Sequence, residues 1–316
     1  MLGDKMSLLK LLALPLSIFF LSSLAYGSWK TPRESLNNRM TVGDYKVYFA
    51  IGGRHSIIGN KELSREDEDK LQFRLNALRR QIKSADSVYT QQLNLALPLQ
   101  SRRYSHVKKI HWHVMDIGKR NGSAGDAPNT FEYQYFNDTE LALILSLTPR
   151  WQPPNLTPEH EIFHLYQYGY TFFKNAWFLE GLAASMQNHF GLKKWKSEAL
   201  PQDSDELKAL LKKSYSAGKF WSRLALLCDP GCDHSDTACG RSLVLPLFEE
   251  FARQDLLAAK ARGINPKNWP EKEQRSLANN AYMLKGLANT LSQQCLVQRS
   301  PELSDFIVLL KQNAAI

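Results

Sequence analysis

His160-Glu161-Ile162-Phe163-His164 is the stretch on which the reading of this chain turns. Sixteen positions after its last histidine comes Glu180, within Trp177-Phe178-Leu179-Glu180-Gly181-Leu182-Ala183. Residues four apart on a helix share a face, so His160 and His164 can aim two imidazoles at one ion. Glu161 stands beside them, able to reach a metal-bound water without being a ligand. This is the H-E-x-x-H spacing of zinc hydrolysis. Two histidines are one ligand short of the three that a catalytic zinc takes from protein. Glu180 would be the third, with the fourth position open to water. The flank Thr157-Pro158-Glu159 predicts a helix start, with Thr157 as N-cap, Pro158 at the first helical position and Glu159 in an acidic first turn.

With Trp177 to Ala183 following it, the motif resembles the gluzincin metallopeptidases. The nearest branch carries a W-x-x-E-G-L-A second helix, as in bacterial collagenases, and is related to the gluzincin aminopeptidases. The strong resemblance runs from His160 to Met186. It implies one zinc per chain held by His160, His164 and Glu180, with Glu161 as general base. The G-x-M-x-N exopeptidase signature of the aminopeptidases is absent, so aminopeptidase activity is not implied. The resemblance also implies a donor for the transition-state oxyanion, roughly forty to sixty-five residues beyond the glutamate ligand. That window holds His234 and Arg241, and Tyr282 lies further on. Arg241 is favoured, because Cys239-Gly240-Arg241-Ser242 opens the helix that follows this donor in relatives.

The N-terminus reads as an export signal. Lys5 and Lys10 give a positive start, Leu8 to Leu24 is nearly all apolar, and Ser23-Leu24-Ala25 or Ala25-Tyr26-Gly27 offers a small-residue cleavage site. No cysteine lies near it, which argues against a lipoprotein anchor. With 1–27 removed, no segment is apolar enough to stay in a membrane, and the expected location is periplasmic or secreted. The net charge is +9, carried by scattered pairs such as Arg79-Arg80, Arg102-Arg103 and Lys212-Lys213. Scattered pairs read as solvated surface, and no nucleic-acid motif is present.

Tyr45 to Ile51 is rich in β-branched and aromatic residues and predicts a strand ended by Gly52-Gly53. Ser64-Arg65-Glu66-Asp67 opens a helix whose apolar residues, Leu71, Leu75, Leu78, Ile82, Ala85 and Tyr89, form one stripe for packing on a sheet. Ile110 to Ile117 predicts the next strand. It sets His111 and His113 on one face, as half-exposed strand histidines or as a rival zinc pair. Asn121 to Pro128 reads as a mobile loop by composition. Leu141 to Leu147 is an apolar run of strand length, either a core strand or the cleft-lining edge strand expected before the motif helix. An edge strand there would pair with an extended substrate. The small residues Gly181, Ala183 and Ala184 would let the second helix lie close against the motif helix.

Beyond residue 200 the chain reads helical, with starts at Ser204, Leu243, Gln274 and Pro301. The four cysteines are Cys228, Cys232, Cys239 and Cys295. In an exported protein they predict two disulfides, of undetermined pairing. A structural zinc on Cys228, Cys232 and Cys239 with His234 is the alternative. The expected architecture is α+β. An N-terminal lobe (28–169) has a small mixed sheet with helices and ends in the motif helix. A mainly helical C-terminal lobe (170–316) carries Glu180, and the zinc site lies between them. The expected function is an exported zinc metallopeptidase acting on polypeptides. The alternatives are a non-catalytic zinc-containing module of the cell envelope and a zinc hydrolase of another substrate.

Overall fold

A two-residue turn at Gly43-Asp44, with Gly43 at φ +57°, closes a hairpin between β1 (Asn38–Val42) and β2 (Tyr45–Phe49). The computed structural model describes residues 33, 35–59, 64–191, 194–229, 231–236, 239–295 and 300–314; the expected signal segment, 1–27, lies outside them. The first long helix, α1 (Arg65–Ser87), begins at a reciprocal capping box of Ser64 and Asp67. Its predicted stripe is buried from Leu71 to Ala85. Strands β3 (Lys109–Val114), β4 (Gly122–Asn129) and β5 (Ala142–Leu147) complete a sheet of order β1-β2-β3-β5-β4. The three central strands run parallel, and the two outer ones antiparallel to their neighbours.

β4 corrects the sequence reading, which made Asn121 to Pro128 a loop. Glycine and proline suppress the side-chain signal of a strand. An edge ladder needs only backbone amides, and β4 finds them on β5, with Gly122 opposite Leu147 and Gly125 opposite Ile144. The predicted Leu141–Leu147 run is therefore the core strand beside the edge, and β4 is the edge. Ion pairs anchor β4: Asp126 accepts from Arg103 (2.6 Å) and from the buried Lys174 (2.9 Å), which also reaches Glu271 (2.6 Å).

The motif helix α2 (Thr157–Tyr170) is buried along nearly its whole length. Thr157 is its first residue rather than its N-cap, and the Asn155 side chain accepts from the Thr157 amide at 2.9 Å. Behind α2, Tyr166 and Tyr45 both donate to Asp86 of α1 (2.8 and 2.9 Å). After it come α3 (Ala176–Asn188), α4 (Ser204–Leu211), α5 (Gly218–Cys228), α6 (Val244–Arg262), the short α7 (Glu271–Gln274), α8 (Asn279–Gln294) and α9 (Pro301–Asn313). The architecture is α+β. One hydrophobic core runs from Val47, Trp112 and Leu145 of the sheet through Phe163 and Phe178 to Leu287 and Leu303.

The cysteines form Cys228–Cys295, joining the ends of α5 and α8, and the local Cys232–Cys239. No described helix is long and apolar enough to cross a membrane. His111 and His113 are fully buried, not half-exposed. The segment after β4 covers them: the Tyr133 hydroxyl lies 2.6 Å from His113 Nε2 and 2.9 Å from His111 Nδ1, and its ring stacks on Tyr48.

Candidate metal centre

The i,i+4 relation sets His160 and His164 on one face of α2, and their rings lie 4.6 Å apart, edge to face. Helix α3 brings Glu180 to them. One Glu180 oxygen is 3.2 Å from His160 Nε2 and 3.5 Å from His164 Nε2. Tetrahedral ligands about 2.0–2.1 Å from a zinc ion stand roughly 3.3–3.4 Å from one another, so the three atoms are spaced as a zinc ligand set. The donor chemistry, two imidazoles and one carboxylate, fits the same ion.

The His164 tautomer is set from behind. The Gln167 amide donates to the Leu179 carbonyl (3.2 Å), which turns its oxygen toward His164 Nδ1 at 2.8 Å. An amide oxygen only accepts, so Nδ1 carries a proton and Nε2, facing Glu180, is the nitrogen a metal would take in place of its proton. Gln167 escaped the sequence reading, although its place three residues after His164 is a usable signal for such a support. His160 Nδ1 has no hydrogen bond, and Gln187 lies beside that ring.

Burial opposes ionisation of Glu180, but hydrogen bonds from His160 and His164 outweigh it and hold the carboxyl far below its usual range. Burial pushes the Glu161 carboxyl the other way, up to about 7, with Glu180 adding to the rise and His164 and Arg120 opposing it. Glu161 lies against β4: a Cβ built on Gly122 would stand 2.6 Å from its Oε1.

A residue that the sequence reading missed completes the cluster. The ring of Tyr215 stacks on His160 (centroids 5.4 Å apart, planes at 25°), which brings its phenol close to the Glu180 carboxylate. Tyr215 is 61% exposed, so one side faces open space. Two glycines bring it there. A Cβ on Gly181 would meet that of Ala217 at 2.7 Å, and one on Gly218 would meet Ala184 at 3.3 Å. Gly181 and Ala184 of α3 therefore admit the 215–218 turn. Tyr215 lies nearer to Glu180 in the chain than the segment in which the gluzincin resemblance places an oxyanion donor.

The predicted donors are engaged elsewhere. Arg241 donates from Nε to the Gln92 carbonyl at 2.9 Å. His234 partners Ser197 at 3.2 Å and packs on Trp195, and Tyr282 is buried in the helical core. The second group with ligand-like spacing, Cys232, Asp236 and Cys239, contains the local disulfide. Comparison with protein families, with curated proteins and with solved structures gives no match for the chain.

Proposed function

We propose that this protein is an exported zinc-dependent peptidase of the gluzincin kind, with Glu161 as general base. The observation that carries the reading is the spacing of His160, His164 and Glu180, with Glu161 next to His160 on the same helix and the Tyr215 ring stacked on His160. Bound there, zinc would supply a Lewis acid and a water of lowered pKa. Glu161 takes the proton of the attacking water and returns it to the leaving amine, work suited to a carboxyl raised to about 7. Tyr215 turns its hydroxyl from Glu180 to the substrate carbonyl oxygen as that oxygen gains charge. Burial and the neighbouring Glu180 raise the phenol pKa, so it remains a proton donor.

The free edge of β4 adjoins Glu161 through Gly122, and an extended polypeptide added there as a strand would present its backbone to the general base. Disulfides persist in oxidising compartments, which supports a periplasmic or secreted location.

The test is a broad peptide library, read by mass spectrometry, against zinc-loaded native protein and its Glu161→Gln variant. The native protein should cleave members of the library. Glu161→Gln should retain zinc and melting temperature but lose roughly 10²-fold or more in turnover. A native protein that cleaves nothing, or an equally active variant, removes the peptidase reading in favour of a binding module or a hydrolase of another substrate.

A further inference from the structure

Arg120 stands two residues before Gly122, the point at which the edge strand touches Glu161. It is exposed, and among the described residues it has no hydrogen bond or ion pair. Its guanidinium is near enough to the Glu161 carboxylate for the two charges to attract. The cations near the other part of β4 are neutralised, since Arg103 and Lys174 both hold Asp126.

The Arg120 side chain also lines a groove of about 670 Å³ over the outer face of β4 and β5, together with Ser123, Phe131 and Ser146. The second guanidinium in that groove, Arg33, is 2% exposed, donates to His113 Nδ1 at 3.2 Å and lies over the Phe131 ring. Glu132, the carboxylate of the lining, is itself engaged. Arg120 is thus the accessible cation of a groove that runs along the edge strand, two residues from the point where that strand touches Glu161.

A strand added to β4 turns alternate side chains to the motif helix and to the outer groove. Near Glu161, the outward position meets Arg120, whose planar guanidinium can bind a carboxylate through two parallel hydrogen bonds. We infer that Arg120 binds a substrate carboxylate next to the scissile bond, so that the site selects acidic peptides. The inference rests on the peptidase reading above. The carboxylate comes either from an Asp or Glu side chain or from the C-terminus of a short peptide.

Binding to zinc-loaded Glu161→Gln protein, measured by fluorescence anisotropy at low salt, tests the inference without requiring turnover. Four arms use labelled peptides with Asp or Glu against Asn or Gln along the sequence, each with a free or an amidated C-terminus. Carboxylate-bearing peptides should bind roughly tenfold tighter than their neutral counterparts, the scale of one charge-assisted hydrogen bond, and the difference should shrink with added salt. The arm that shows the difference identifies the source of the carboxylate. Adding Arg120→Ala should erase the preference, Arg120→Glu reverse it and Arg120→Lys restore part of it.

A preference that survives Arg120→Ala, or peptides bound without regard to charge, overturns the inference. Arg120-dependent selectivity from a protein whose native form cleaves none of the same peptides would remove the peptidase reading and leave the carboxylate site standing. No binding and no cleavage removes both.

Discussion

The carboxylate of Glu161 rests directly on the α-carbon of Gly122: a methyl group there would stand 2.6 Å from Oε1 and 2.7 Å from Cγ. The edge strand and Glu161 are thus in contact only because residue 122 has no side chain. Gly122→Ala should displace Glu161 while leaving His160, His164 and Glu180 in place. Peptide hydrolysis should fall tenfold or more, since small displacements of a reacting group can cost about 10²-fold. Zinc content, measured by atomic absorption, should stay at one per chain. Full activity in Gly122→Ala would show that Glu161 does not work from this position.

Tyr215→Phe removes one hydroxyl and keeps the ring on His160. The loss should fall on kcat, by roughly 10²- to 10³-fold as for other oxyanion donors, with KM little changed. An equal variant at Arg241, Arg241→Ala, should leave kcat within a few-fold, because its guanidinium serves the Gln92 carbonyl. The reverse outcome would return the donor role to Arg241.

Zinc should bind at one ion per chain and be lost on His160→Ala, His164→Ala or Glu180→Ala. Gln167→Leu should be milder. It keeps every ligand but frees the His164 ring, and supports of this kind change metal affinity by roughly 10- to 100-fold. Competition with a fluorescent chelator measures both. Stoichiometric zinc in the triple ligand variant would direct attention to His111 and His113, which Tyr133 bridges in this structure.

His189 should make the fold acid-sensitive. Burial against Trp195 lowers its pKa to about 4, with Asp236 opposing weakly, and its Nε2 has no hydrogen-bond partner. Below its ordinary pKa of about 6.5 the unfolded chain takes up a proton that the folded one refuses, so stability rises with pH across this window. The contribution is complete above about 6.5 and is lost toward pH 4, up to about 3 kcal/mol. Urea unfolding in the presence of a chelator, which removes any contribution of zinc release, should show a flatter profile for His189→Gln between pH 4 and 6.5. An unchanged profile would count against the assignment.

The two disulfides should differ in weight. Cys228–Cys295 closes a separation of 67 residues and Cys232–Cys239 one of 7. Loop-closure entropy alone then gives about 4 kcal/mol for the first and about 2 kcal/mol for the second. Replacing Cys228 and Cys295 by alanine should lower the unfolding midpoint more than replacing Cys232 and Cys239. Intact-mass analysis of unreduced protein should find no free thiol.

What the sequence by itself determined is what periodicity encodes. His160 and His164 share a face because a helix repeats every 3.6 residues, and Pro158 and Glu159 announce that helix. The Leu71-to-Ala85 stripe and the β-branched and aromatic residues of β2 are local in the same sense, and the α+β class followed from them. Glu180 was legible because Trp177 to Ala183 forms a second helix at a short remove.

Tertiary structure decided the rest, through contacts between segments far apart in the chain. Gly122 to Asn129 has a loop's composition and becomes a strand because β5 offers it backbone partners. His111 and His113 read as half-exposed until residues beyond β4 cover them with Tyr133. Tyr215 has no motif of its own; it reaches His160 because Gly181 and Gly218 let two helices approach where any side chain would keep them apart. Spacing along the chain selected His160 and His164 as candidate ligands, since a helix converts sequence interval directly into direction. The edge strand, the approach of Tyr215 to His160 and the cysteine pairing depended on which surfaces the folded core pressed together.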